Sequence, residues 1–374
     1  EGMIRIERLE AIVYRYPLET PVQTSFGLMA DRPMVVVRLT NHDGVIGWGE
    51  IWCNFPNVGA EHRARLAKHV IAPNLINCDF GSPEEAFDHL TDATWVLGLQ
   101  TGEIGPLAQV IAGVEIALAD IAGKLAGVPL WKLYGGSADN VSIYASGINP
   151  TEPEIVATAA LDAGFQALKL KIGFGADRDI RNLAVLRDLL DSGGELMADA
   201  NQAWTADEAS ALLDRLAPFN LTWLEEPIAA DRPESDWRSI KDEASMPLAA
   251  GENIASQKAY ASWLRSDILG VMQPDLAKWG GFSKTVPIAK QIIASGKRYC
   301  PHYLGGGIGL VASAHALAAV GGDGMLEVDI NANPLRSELV GDLLSKERGR
   351  ACLGHAPGLG YEPDLDSVRQ YRVC

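Results

Sequence analysis

Hydrophobic and polar positions change their rhythm twice along this chain. Over the first 50 residues they run in short extended stretches, Ile4 to Tyr16, Met34 to Thr40 and Val45 to Glu50. The turn Asn41-His42-Asp43-Gly44 between the last two predicts a hairpin. From about Glu61 to Leu125 apolar residues recur three and four apart, the helical spacing. From Val141 onward, short apolar runs alternate with helical stretches such as Ile155–Ala163, Asp179–Leu190 and Ala206–Leu216. Eight candidate strands begin at Val141, Ala167, Glu195, Leu221, Pro247, Leu269, Arg298 and Met325. Alternating strand and helix predicts a parallel sheet with right-handed crossovers. The pattern therefore predicts an α/β chain, a (β/α)8-type TIM barrel over 131–338 with an α+β capping domain over 1–130. The Gly- and Pro-rich tail from about 339 to 374 lacks the period and is expected to pack back on the first domain.

A second periodicity sits on this one. Asp199, Glu225, Glu252, Asp275, His302 and Glu327 are 26, 27, 23, 27 and 25 residues apart, and Lys171 lies 28 residues before Asp199. A strand, a helix and their connections take roughly 25 residues. Groups repeating at that step fall at the same point of successive βα units. In a parallel barrel that point is the C-terminal end of the strands, where active sites are built. The spacing predicts an enzyme and the face that does its work.

The residue types suggest the chemistry. Asp199, Glu225 and Glu252 end consecutive strands, and three buried carboxylates cannot all stay ionised uncompensated. A hard divalent cation resolves this, and an all-oxygen site favours Mg²⁺, with Mn²⁺ as a substitute, over zinc. Lys169 and Lys171 alternate along one strand and share its inner face. Two close ammonium groups should each lower the other's pKa, tuning a lysine toward base catalysis. Asp275 can orient His302 and raise its basicity, and Glu327 can hydrogen-bond a substrate oxygen that gains charge. Together these groups could take the α-proton from a carboxylate substrate, hold the enediolate, and either return a proton or expel a β-hydroxyl. A metal-dependent hydrolase or aldolase on the same barrel, and a non-catalytic carboxylate-binding protein, stay open as rivals.

Composition narrows the partners. The net charge of −16 argues against nucleic acid and anionic membranes, but a local metal and lysines still permit an anionic small molecule. Five scattered cysteines without a CxxC pair fit a reducing cytoplasm better than a disulfide framework. The most apolar stretch, Val110 to Val128, carries Glu115, Asp120 and Lys124 and reads as a helix of a soluble fold. Glu1 and Gly2 ahead of Met3 read as an added remnant, and no secretory signal is expected. The run Gly305-Gly-Gly-Ile-Gly309 is expected to let backbone approach the substrate closely.

The ordered set Lys169-x-Lys171, Asp199/Glu225/Glu252 and Asp275/His302, with Gly47-Trp-Gly-Glu50 and the Ala112–Leu130 helix, resembles the enolase superfamily, and within it the mandelate racemase subgroup. The resemblance covers nearly the whole chain. It implies a modified (β/α)7β barrel, Mg²⁺ on Asp199, Glu225 and Glu252, and Lys171 and His302 as acid and base on opposite faces of the substrate. It assigns Lys169 to the substrate carboxylate, with Glu327 donating to that carboxylate and Asn201 touching the substrate near the metal. Lys278 also matches a subgroup position. Substrate choice would sit in the cap loops around Gln23–Arg32 and Ile51–Gly59, which carry Phe26, Trp52, Phe55 and Asn57. The subgroup implies acid-sugar dehydration first, racemisation or lactone cycloisomerisation second, and a homo-oligomer. The run from Lys169 to Gly175 is similar to a galactarolactone cycloisomerase, from which the chain departs at Ala277-Lys278-Trp279 and Tyr303-Leu304-Gly305.

Overall fold

The computed structural model describes residues 2–24, 26–191, 193–344 and 348–374. The reading of Glu1 as a remnant, and parts of the cap-loop and tail readings, fall outside the described residues. The cap opens with β1 (Ile4–Gln23), β2 (Leu28–Asn41) and β3 (Ile46–Ile51), paired antiparallel. Asn41 builds the β2–β3 turn, its Oδ1 accepting from the N–H groups of Asp43 and Val45, while Gly44 takes φ +78°. A short β4 (Asp79–Phe80) joins the other edge of β1, an interruption that the helical spacing did not predict.

Four helices follow the sheet: α1 (Gly59–Leu66), α2 (Ala72–Leu75), α3 (Pro83–Thr101) and α4 (Ile104–Ala126). Ser82 caps α3 by accepting from Glu85 N–H, with Pro83 at the first helical position. The helix α4 is long and apolar enough to cross a membrane, yet most of its apolar window is packed inside the protein. Its inner face lies on β3 so closely that a Cβ on Gly47 or Gly49 would collide with α4 backbone, which accounts for both glycines of Gly-Trp-Gly-Glu.

After α5 (Leu130–Leu133) comes the barrel: β5 (Asn140–Ile148), β6 (Ala167–Lys171), β7 (Glu195–Asp199), β8 (Leu224–Glu225), β9 (Leu248–Ala250), β10 (Leu269–Met272), β11 (Arg298–Tyr299) and β12 (Met325–Asp329). All eight predicted strands are present. They pair in parallel in chain order, and β12 returns to lie beside β5, so the ring is nearly closed. Seven helices separate them: α6 (Pro153–Asp162), α7 (Ala176–Leu189), α8 (Ala206–Leu216), α9 (Glu234–Glu243), α10 (Gln257–Ser266), α11 (Gly281–Ala294) and α12 (Gly307–Val320). Among the described residues the one α-helix after β12 is the single-turn α13 (Pro334–Ser337), so the barrel has the (β/α)7β form.

Tyr144, Ala167, Met197, Ala249, Val271 and Met325 from six strands, with Trp223 just before β8 and Cys300 just after β11, fill the barrel interior as a buried apolar plug. This plug is the floor on which the polar groups stand. The tail adds β13 (Arg350–Cys352) to β5, then crosses to the cap, where the backbone of Val373 and Cys374 bonds Val13 and Tyr371 meets Tyr16 edge-on.

Candidate active site

A cavity of about 280 Å³ opens above the plug, between the strand ends and the cap. That is at the small end for ligand sites, which suits a metabolite. The barrel contributes Lys169, Lys171, Asp199, Asn201, Glu252, Lys278, His302 and Glu327 to its wall, and the cap contributes Phe26, Arg32, Trp52 and Asn54. Glu225 and Asp275 stand behind this wall, both buried.

The strands place each group. Residues i and i+2 of a strand share a face, so Lys169 and Lys171 both point inward from β6. Parallel register sets Lys171 beside Asp199 and Asp199 beside Glu225. Gly251, at φ +155°, packs where a Cβ would strike the Gln273 backbone, and the chain turns there to bring Glu252 into the wall. The Lys171 ammonium donates to Asn201 Oδ1 at 3.1 Å, and Asn201 in turn bonds Asp199. His302 Nδ1 lies 2.7 Å from Asp275 Oδ2, whose other oxygen accepts from Ala277 N–H. Burial opposes charge on His302, but Glu252, Glu327 and Asp275 outweigh it and push the imidazole up to about 10. The cap lies directly on these groups. Trp52 stacks beneath the Lys278 ammonium at 4.6 Å, and Phe26, which is 61% exposed, meets Phe55 edge-on at 4.9 Å.

Three expectations change. Lys169 is not a lysine of lowered pKa: burial disfavours its charge, but Glu225 at 2.6 Å, Glu327 at 2.8 Å and Asp199 at 3.9 Å hold it well above the ordinary value. The surroundings of Glu327 do not favour a donor. Burial would raise its pKa, yet Lys169 and His302 hold it below the usual range, and it accepts from Ser146 Oγ, Tyr303 N–H and Lys169. The glycines at 305–307 are crowded by Glu50, Tyr303, Met34 and Leu339, so their small size serves the cap–barrel contact.

Asp199 and Glu252 of the candidate metal set line the cavity and Glu225 lies behind its wall, and among the described residues no three His, Cys, Asp or Glu side chains stand together in ligating geometry. Lys169 occupies Glu225, while Glu252 faces His302 at 3.2 Å and Lys278 at 3.3 Å. The set nevertheless fits a hard cation. Among the described residues Glu225 Oε1 is buried without a partner, and burial followed by repulsion from Asp199 pushes Glu225 up to about 7. Burial, opposed mainly by Lys169 and Lys171, likewise leaves Asp199 raised. This corner is short of positive charge, and its donors are all oxygen.

Sequence spacing missed several neighbours. Glu226, buried beside Glu252 and bonded by Asn253, lines the cavity one residue past Glu225. Gln273 donates to Glu225 at 2.9 Å. Asp329 lies two residues after Glu327 on β12, so the period-two rule applied to that strand would have found it.

The fold and cavity define a capped α/β-barrel enzyme with carboxylates, lysines and a His–Asp pair at the strand ends. Two family models match, the mandelate racemase/muconate lactonizing enzyme N-terminal domain over residues 8–135 and the enolase C-terminal domain-like region over residues 154–367. The chain belongs to the mandelate racemase/muconate lactonizing enzyme family of the enolase superfamily. It is 28% identical to a D-galactarolactone cycloisomerase of Agrobacterium fabrum over 99% of both chains. A mandelate racemase/muconate lactonizing enzyme of Bordetella bronchiseptica RB50 superposes with a TM-score of 0.94 at 51% identity, covering 99% of this chain and 100% of its own. A racemase from Streptomyces coelicolor A3(2) with bound magnesium gives 0.88 at 28% identity, covering 98% and 100%. Other relatives are named dehydratases of arabinonate, D-xylonate and D-galactonate, and an N-succinyl-L-Arg/Lys racemase.

Proposed function

We propose that this enzyme removes the α-proton of a small hydroxycarboxylate in a Mg²⁺-dependent reaction, and that the outcome is dehydration of an acid sugar to a 2-keto-3-deoxy acid. The observation that carries the reading is the placement of Lys171 and the Asp275-oriented His302 on the wall of one cavity that also holds Asp199 and Glu252. Asp199, Glu225 and Glu252 would hold the cation, whose charge lowers the cost of negative charge building on the substrate carboxylate. Lys169 assists on the same oxygens, exchanging its present carboxylate partners for substrate. Lys171 takes the α-proton as base. His302 gives its proton to the departing β-hydroxyl, which leaves as water, and the enol then tautomerises to the keto acid. Asn201 holds the Lys171 amine nitrogen in position, while Lys278, Trp52 and Phe26 line the substrate's outer side. Positioned acid and base groups account for about 10²–10⁴ in rate, so electrostatic stabilisation carries most of the rest.

A second outcome has its own support. A proton donor opposite the base also serves racemisation or cycloisomerisation, and relatives carry both names. The reading includes a homo-oligomer, for which the exposed Trp95, Val96, Leu97 and Leu99 of α3 form an apolar patch. It also includes a reducing cytoplasm, consistent with five free cysteines.

Proton NMR of the Mg²⁺-loaded enzyme in D₂O with pools of aldonic, aldaric and aromatic hydroxy acids tests it. The expected result is loss of an α-proton signal with new 2-keto-3-deoxy signals. Exchange without those signals would replace dehydration by racemisation or epimerisation, and no exchange in any pool would count against the proposal.

A further inference from the structure

The cap loops look apolar in sequence, yet the cavity's outer end carries a buried guanidinium. Arg32 reaches in from β2 and is 3% exposed. Burying such a group is costly unless it is fully partnered, and Arg32 is not. Among the described residues, one arm donates to Asp329 Oδ2 at 2.7 Å, the other finds only the weak acceptor Met29 Sδ at 3.9 Å, and its buried Nε has no partner. Arg336 approaches the same Asp329 oxygen at 3.4 Å. Two guanidiniums therefore share one carboxylate, which leaves one positive charge in excess. Trp52, on the same wall, also keeps a buried Nε1 donor without a partner among the described residues.

This end is separated from the reacting end along one strand. Glu327, with Lys169, marks the inner level of β12, and Asp329, with Arg32, marks the level two residues on. Two residues of strand advance about 6.6 Å, the reach of roughly five staggered C–C bonds of about 1.5 Å. We propose that Arg32 recognises a second carboxylate at the far end of the substrate, so that the preferred substrate is a dicarboxylic sugar acid and not a monocarboxylic one. The guanidinium fork matches a carboxylate bidentately. The inference rests on the reading that the substrate's reacting carboxylate sits at the Lys169 end.

Calorimetry on the Mg²⁺-loaded protein tests it with hexaric and hexonic acids of matched stereochemistry, such as galactarate against galactonate and glucarate against gluconate. In the wild type at least one diacid should bind about tenfold or more tighter than its monoacid, the scale of a charge-assisted pair. In the double variant Arg32→Leu/Asp329→Asn, which removes both members of the buried pair, the preference should fall to about twofold or less. Arg32→Lys, which keeps the charge but loses the fork, should give an intermediate ratio and decides the matter if the double variant does not fold. Equal binding of the two acids, no binding of any diacid, or an undiminished preference in the variants overturns the proposal. The α-proton exchange assay on the same samples separates the two readings. A diacid preference lost with Arg32, without exchange, leaves the anchor standing and removes the α-proton chemistry.

Discussion

Two sets of buried carboxylates sit within the same fold and are satisfied in opposite ways. Glu50, Glu115 and Asp120 tie the cap to the barrel and tail, and each accepts backbone N–H groups. Glu50 takes Gly306 and Gly309 with the Tyr303 hydroxyl, Glu115 takes Phe282 and Ser283, and Asp120 takes Trp48 and Leu359. Asp199, Glu225 and Glu252 instead face mainly lysines, a histidine and each other, with a single backbone N–H, that of Asn201, on Asp199, and among the described residues one Glu225 oxygen has no partner. Carboxylates that close onto backbone amides are finished structural parts. Carboxylates held by exchangeable cations, with an acceptor to spare, are arranged for something that arrives. The difference lies chiefly in the partners, since Asp199 and Glu225 are as buried as the structural set and only Glu252 is partly exposed.

Substitutions should therefore divide cleanly between activity and stability. The largest expected effect is on turnover. Lys171→Ala and His302→Asn should each lose about 10²–10⁴ or more in rate with the fold retained, because neither removal strands a backbone group. Full activity in either variant would remove that residue from the reaction. On the structural side, Glu115→Ala leaves Phe282 and Ser283 N–H groups and the Ser283 hydroxyl unpaired. It should cost on the order of 3 kcal/mol in denaturant titrations while the surviving folded enzyme keeps its rate. A large drop in rate per folded molecule would erase the distinction.

Cation binding sharpens the same comparison. Saturating Mg²⁺ should stabilise the wild type by about 2.7 kcal/mol at a hundredfold excess over Kd, and Glu225→Gln should abolish that gain. Asp120→Asn, on the structural side, should leave the gain intact. A Mg²⁺ response that survives Glu225→Gln would move the cation to another set of oxygens.

How much of this was legible from sequence follows from the same contrast. The strand-end groups were visible because barrel topology imposes a spacing on them, and the hairpin was visible because Asn41 and Gly44 have few alternatives in a tight turn. Glu50, Glu115 and Asp120 carry no period, since their partners are backbone amides 72 to 259 residues away. From sequence, Glu115 and Asp120 indicated only that α4 is not a membrane span, and the structure packs most of its apolar window inside the protein. The ionisation of Lys169 was misjudged because proximity to Lys171 is local in sequence, whereas Glu225, Glu327 and Asp199 arrive from three other strands. Arg32 was passed over as part of a loop, because its partner Asp329 lies 297 residues away.

The smallest expected effect concerns a buried group of the structural kind with the opposite polarity. His315, in α12, accepts Trp131 N–H at Nδ1 and lies 2.9 Å from Leu359 O at Nε2, so it joins barrel and tail as a neutral ring. Burial depresses its pKa from 6.5 to about 4. Between those values the unfolded chain binds a proton that the folded chain refuses, so stability rises with pH there. The contribution is complete above pH 6.5 and is lost as pH falls toward 4, amounting to about 2 kcal/mol by pH 5. Glu115 and Asp120 are raised by burial to about 7 and about 6 and act with the opposite sign, because the folded chain takes up their protons first. The wild-type curve alone therefore mixes the two. The difference between wild type and His315→Gln, followed by denaturant titration at pH 7 and pH 5, isolates the imidazole. His315→Gln should lose less stability than the wild type over that interval, and equal losses would show that the ring is protonated in the fold.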